Sequence, residues 1–272
     1  MPDQLPRPQS ERISALTAMI LLTYGLIKMI VLPSVETEVA IFGLLVKLEF
    51  KTQSIMLILA AALAAAGTDW LIQGHPKRVR TQLAMENWVI PAMAAIAIGV
   101  IVIRIPESPT LWIGLFLGAI LLVAILTAEF IVFDAHDPRF GNVAAILTAL
   151  AFLLLLSSFL TIQVLEIRAL FAIPLTFFTS FVVFWRLMRL VLPESRIWSW
   201  ALLIAFITSQ IALGLHYWPI SPLRRGFLLG LAAYLCYQFM ILHLHQEMNR
   251  RSLAIEVTIV STLSLIAILV LT

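Results

Sequence analysis

Charge is what this sequence has least of. Lys, Arg, Asp and Glu supply only 12% of its 272 residues, and hydrophobic residues supply 61%. A soluble domain carries about 25% charge and about 45–50% apolar residues. That gap, with a mean hydropathy of +1.02, excludes a water-soluble globule and a disordered chain. The net charge of +3 is too small and too scattered to follow a phosphate backbone, so no nucleic-acid partner is expected. Cysteine is nearly absent as well. Cys236 stands alone inside an apolar run, which rules out an intramolecular disulfide and any Cys-based metal motif.

Catalytic signatures are missing too. There is no GxSxG elbow, no HExxH, no phosphate-binding loop, no GxGxxG and no haem-attachment CxxCH. Membrane prenyltransferases hold magnesium diphosphate between two Asp-rich clusters, and this chain offers one short DAHD. Neither a metal site nor a cofactor is expected.

What remains is a set of long uncharged runs. Between Arg139 and Glu166 there are 26 uncharged residues, between Arg196 and Arg224 there are 27, and Glu107–Glu129 and Arg225–Glu247 each enclose 21. A bilayer core about 30 Å thick needs roughly 20 apolar residues in a helix. The pattern predicts an all-α polytopic bundle, a single integral membrane domain over 1–272. Nine spans are expected, at 13–32, 54–73, 88–105, 111–133, 142–164, 169–191, 198–218, 225–245 and 253–272. Pro33, Pro193 and Pro219 close runs, Asp137-Pro138 reads as a cap and first helical turn, and Pro91 and Pro174 fall in opening turns. The first apolar run is too long for a secretory core and no small-residue cleavage site follows it, so it is expected to stay as an anchor. In 34–53, Val46, Leu48 and Phe50 alternate with Lys47, Glu49 and Lys51; this period of two predicts a short strand or hairpin at the membrane surface.

Basic residues set the expected orientation. With the N-terminus cytoplasmic, inner segments carry eleven Lys and Arg against six outside, Lys28 lying within the first span. The C-terminus is then extracytoplasmic. All seven tryptophans fall near predicted span ends, where an amphipathic ring suits the interface.

Ionisable residues within a membrane are expensive and mark function by default. Here they gather at the inner ends of the spans. Asp69 closes the second span, and the small residues Ala60 to Gly67 before it predict a central helix that carries Asp69 inward. Glu129 closes the fourth span, followed by Asp134, His136, Asp137 and Arg139; His75 lies in the preceding inner loop. Arg186 and Arg189 share one face at the end of the sixth span, His243 and Glu247 share one at the end of the eighth, and Glu256 opens the ninth. Arg186 and Arg189 read either as snorkelling anchors or as an anionic head-group site, with Glu129, Asp134 and His136 as acid, base or ligand candidates. Lys28 is expected to snorkel outward, and Gln210 and Gln238 to pair across helices near mid-membrane.

An Ala-rich span ending in TDWLIQGHP, followed by EFIVFDAHDPRFG leading into an apolar helix, resembles uncharacterised bacterial multi-pass membrane proteins with no assigned activity. The resemblance implies a bacterial plasma membrane and no mechanism. Two functions follow as expectations: a non-enzymatic scaffold or accessory subunit bound to lipid and other membrane subunits, or an enzyme or carrier binding an anionic lipid or polyprenyl-phosphate head group.

Overall fold

A computed structural model describes residues 8–29, 35–41, 44–50, 52–76, 85–106, 109–165, 167–191 and 197–244, together with Thr258 and Thr262. Among them the fold is all-α apart from one connection. The helices are α1 (Ser10–Met29), α2 (Thr52–Ile72), α3 (Val89–Arg104), α4 (Pro109–Val132), α5 (Phe140–Val164), α6 (Ala169–Val191), α7 (Ile197–His216) and α8 (Pro222–Leu244). Eight described helices are long and apolar enough to cross a membrane. Of the expected ninth span only Thr258 and Thr262 are described; Glu247, Glu256 and the remainder lie outside the described residues.

Local chemistry explains the helix starts. Ser10 and Glu11 open α1, and Pro109 and Pro222 stand first in α4 and α8, where the N–H they lack has no intrahelical acceptor. Pro174 departs from the sequence reading. It is past the orphan N–H positions of α6, so it removes the bond that would run to the Leu170 carbonyl.

Between α1 and α2, Val35–Ile41 (β1) pairs antiparallel with Leu44–Phe50 (β2), with Val39 opposite Val46 and Glu38 opposite Lys47. A strand places alternate residues on opposite faces. In this register the positions of Val35, Thr37, Val39 and Ile41 share a face with those of Leu44, Val46, Leu48 and Phe50.

The described chain divides into two compact units, Met1–Leu147 and Thr148–Thr272. In the first, α2 packs against α1, α3 and α4 and is the central helix. Its Ala60 and Ala64 are fully buried and join Leu16, Ile20, Tyr24, Ala95, Ile98, Leu122 and Leu126 in one core. Small residues let the backbones approach: a methyl group at Gly67 would strike Leu16, and one at Gly99 would strike Leu57 and Tyr24. At the core's centre the Tyr24 hydroxyl donates to the Ala95 carbonyl over 2.6 Å. The surface carries large apolar side chains as well. Helix α4 exposes Trp112, Ile113, Phe116, Leu117 and Ile120 along one face and buries Leu122, Ile125 and Leu126 on another. A helix that is hydrophobic all round suits lipid on its outer side.

The second unit is organised by aromatic side chains. Phe152 of α5 meets Tyr234 and Tyr237 of α8 edge-on, at 5.5 and 5.3 Å between ring centroids, and also faces Phe184 of α6. Helix α8 crosses α5 at Gly226 and Gly230, which face Leu160 and Leu156. Gln210 is exposed on α7, whose inward face is taken by Ala201, Ile204, Ala205, Thr208 and Ser209, so it does not occupy the buried cross-helix position expected for it. Gln238 donates to the Tyr234 hydroxyl over 2.9 Å, one turn back on its own helix.

Candidate functional site

The ends of the first unit can be named by their cations. Arg12, in the first turn of α1, donates to the Trp70 carbonyl at the end of α2 over 2.7 Å and stacks on the Trp70 ring at 5.0 Å. At the other end of α1, Lys28 donates to the carbonyls of Ile103 and Ile105, over 3.0 and 2.7 Å, where α3 stops. The last carbonyls of a helix lack intrahelical partners and carry partial negative charge, so each cation satisfies a helix C-terminus. Lys28 therefore reaches sideways to α3 instead of only outward. A basic residue in the terminal turn of a span is the sequence signal for this; which helix end it meets is not readable locally.

The candidate polar residues of the first unit collect at the Arg12 end. Helix α2 unwinds through Gly74 and His75, whose N–H groups bond to Leu71 and Ile72 carbonyls. His75 is 4% exposed and lies edge-on to Phe130 and Phe133 at the end of α4, with ring centroids 4.7 and 5.2 Å apart. Glu129, in the last turn of α4, is fully buried, as is Thr68 on α2. Asp69 is half-buried, lying off the buried Ala60–Ala64–Thr68 face of α2, and accepts from the Gln73 amide at 3.0 Å. A central α2 thus does not carry Asp69 into the core, because one residue along a helix turns the side chain by about 100°.

The DAHDPR turn is folded on its own backbone. Asp134 Oδ1 accepts from the His136 N–H at 3.0 Å, and Asp137 Oδ1 accepts from the Arg139 N–H at 2.8 Å. Asp137 thus closes the turn that leads into α5, three residues before its first residue Phe140, and does not stand at the position next to the helix where the expected cap belongs. The Arg139 guanidinium adds a two-pronged bridge, Nε to Oδ1 at 3.0 Å and Nη2 to Oδ2 at 2.7 Å. The Asp137 side chain is 1% exposed. Hydrogen bonds from Arg139 hold its carboxyl below the usual carboxylate range against the opposing effect of burial, and the nearby His75 lowers it further. The same bridge raises the Arg139 guanidinium. The His136 ring, by contrast, is 89% exposed, 3.7 Å from Asp134.

This geometry yields a pH prediction. A carboxyl whose folded pKa lies below its unfolded one stabilises the fold when ionised. That contribution is complete above the ordinary aspartate value of about 3.9 and is lost as pH falls through the depressed folded value. Asp137→Asn is therefore expected to lower stability at pH 7 by about 1 kcal/mol, allowing for the half-open Arg139 partner. Thermal unfolding in detergent at pH 7 and at pH 3 checks this: the gap between wild type and variant should narrow at the lower pH.

In the second unit, α6 separates the two arginines by environment. Arg186 is 3% exposed, beside the fully buried Leu187 and Met188, whereas Arg189 is exposed. His243 is exposed at the end of α8, 6.5 Å from the Trp200 ring. Trp185 and Trp198 lie 4.6 Å apart where α6 and α7 meet. Among the described residues no three His, Cys, Asp or Glu side chains come together as a metal site. The bonds of Arg12 and Lys28 go to helix ends, and those of Asp137 and Arg139 close the turn before α5.

By length and apolar composition, eight of the described helices are compatible with a multi-pass helical membrane protein. The chain belongs to a family described as proteins of unknown function, DUF5656, which matches residues 32–271. Comparison with curated proteins and with solved structures returns no match.

Proposed function

We propose that this chain is a non-enzymatic scaffold or accessory subunit of a bacterial plasma membrane, holding other membrane subunits through its lipid-facing helix surfaces. The observation that carries this reading is the inward commitment of its polar groups. Asp137 is engaged by Arg139 and the start of α5, and Arg12 by the end of α2. Groups that already complete helix ends are poorly placed to act on a substrate. The excess of eleven basic residues over six supports a cytoplasmic N-terminus. With a ninth span the C-terminus is extracytoplasmic and the β1–β2 ribbon lies at the outer surface. The Thr262 hydroxyl donates to the Thr258 carbonyl over 2.7 Å. A reporter fused after Thr272 that works only outside the cell should be active; silence would overturn the nine-span topology.

One observation favours a second reading, an enzyme or carrier that binds an anionic lipid or polyprenyl-phosphate head group at the cytoplasmic face. A buried guanidinium at Arg186 stands three residues from an exposed one at Arg189, a pairing suited to a phosphate entering from the head-group layer. Single replacements, Arg186→Gln and Arg189→Gln, separate the readings. The scaffold reading expects a lower level of Arg186→Gln protein, with anionic-lipid binding per molecule unchanged in both variants. A loss of lipid binding of about tenfold at normal protein level favours the head-group site.

A further inference from the structure

At the Lys28 end of the first unit, α1, α3 and α4 diverge around a cleft of about 720 Å³. Its wall includes Gly25 and Lys28 of α1, Val102 of α3, and Leu111, Trp112 and Leu115 of α4. This volume falls in the range of small-molecule sites, about 300–1,000 Å³. The lining has an uncommon composition. Among the described residues of the wall, Lys28 is the one basic or acidic side chain, and the others are apolar except for the Tyr24 hydroxyl, which is committed to Ala95.

Among the described residues the hydrogen bonds of the Lys28 ammonium go to two neutral carbonyls. An ammonium has three N–H donors, and these carbonyls supply only the partial negative charge of a helix end, so one donor and part of the formal charge are left to be met. Lys28 is half-buried, and a charge that a helix end compensates only in part is costly beside an apolar wall. An anion at the cleft relieves that cost. The apolar wall adds a second requirement, because a small hydrated anion leaves it uncovered whereas an acyl chain covers it. Trp112, 74% exposed beside the cleft, has the amphipathic ring that suits the boundary between head groups and chains.

We infer that this cleft is a binding site for an anionic phospholipid, with the lipid phosphate on Lys28 and an acyl chain along Gly25, Leu111 and Leu115. The site lies at the opposite end of the first unit from the DAHDPR turn and does not depend on either reading of that layer.

Two variants test it. Lys28→Gln removes the charge and keeps an N–H donor for the Ile103 and Ile105 carbonyls. Gly25→Leu fills the cleft from its wall; a side chain there starts into open space, since a Cβ at Gly25 meets nothing within 4 Å. Purified full-length protein is delipidated in detergent and offered equal phosphatidylglycerol and phosphatidylcholine, and bound lipid is read by native mass spectrometry. Wild type should prefer phosphatidylglycerol by about fivefold, the effect of one basic residue near a membrane surface. Lys28→Gln should bind the two lipids equally, Lys28→Arg should restore the preference, and Gly25→Leu should lose one bound lipid while unfolding at the wild-type temperature. Arg104→Gln, an exposed cation in the last turn of α3, should keep the preference. Retained preference in Lys28→Gln overturns the site, as does an equal loss in Arg104→Gln, which would mean general surface attraction. Displacement of the lipid by millimolar inorganic phosphate would identify a free-anion site and overturn it too.

Discussion

Gly226→Leu is expected to destabilise the second unit by about 3 kcal/mol or more, the upper part of the range for overpacked sites. A Cβ at this position would lie 2.7 Å from Leu160 Cδ2, 3.0 Å from its Cα and 3.2 Å from its backbone nitrogen. A side chain can rotate away from an intruding methyl group; the α5 backbone cannot move without dragging its helix. Gly230→Leu meets a softer obstacle, because its nearest neighbour is Leu156 Cδ1 at 2.7 Å with the rest of that side chain 3.8 Å or more away. Unfolding in mixed detergent and SDS micelles should rank the variants in that order. Equal midpoints for Gly226→Leu and wild type would mean that α8 does not cross α5 this closely in the membrane.

Tyr24→Ala is expected to be the second large loss, about 3–5 kcal/mol, and Tyr24→Phe a small one of about 1 kcal/mol. Tyr24 is fully buried where α1, α2 and α3 converge. Within lipid, burial from water does not drive helices together, so the ring contributes through close packing and the hole left by alanine is the larger part of the cost. The lower end of the range is expected for that reason. The phenylalanine variant keeps the volume and gives up only the bond to the Ala95 carbonyl, which lies within an α-helix. Thermal unfolding in detergent separates the two contributions, and comparable losses for both variants would assign the effect to the hydroxyl.

Helix positions were legible from the sequence because in a membrane the scarcity of charge marks span ends directly. Runs predicted at 111–133 and 142–164 are observed as Pro109–Val132 and Phe140–Val164. That Asp137 acts locally was legible as well, since a side chain that closes a turn works within a few residues of its own position. What escaped were facts about which helix faces which. Arg186 and Arg189 share a helical face by spacing, yet only Arg186 is buried, because depth along the helix differs between them and spacing carries no information about the neighbour's end. The close crossing at Gly226 and Gly230 is visible as a GxxxG pattern within α8, and its partner on α5 is not. The lone Lys28 showed its own cost in the membrane, but its acceptors lie 75 and 77 residues away in the chain.

The two cations of α1 have a geometric consequence. Arg12 is fastened to the end of α2 and Lys28 to the end of α3, with about 24 Å of helical rise between them at 1.5 Å per residue. Helix α1 is therefore a gauge rod, clamped at both tips to other helices. In a thinner or thicker bilayer these helices cannot slide past one another to match it without breaking a clamp. The first unit would have to tilt as a body or make the lipid around it adjust its thickness.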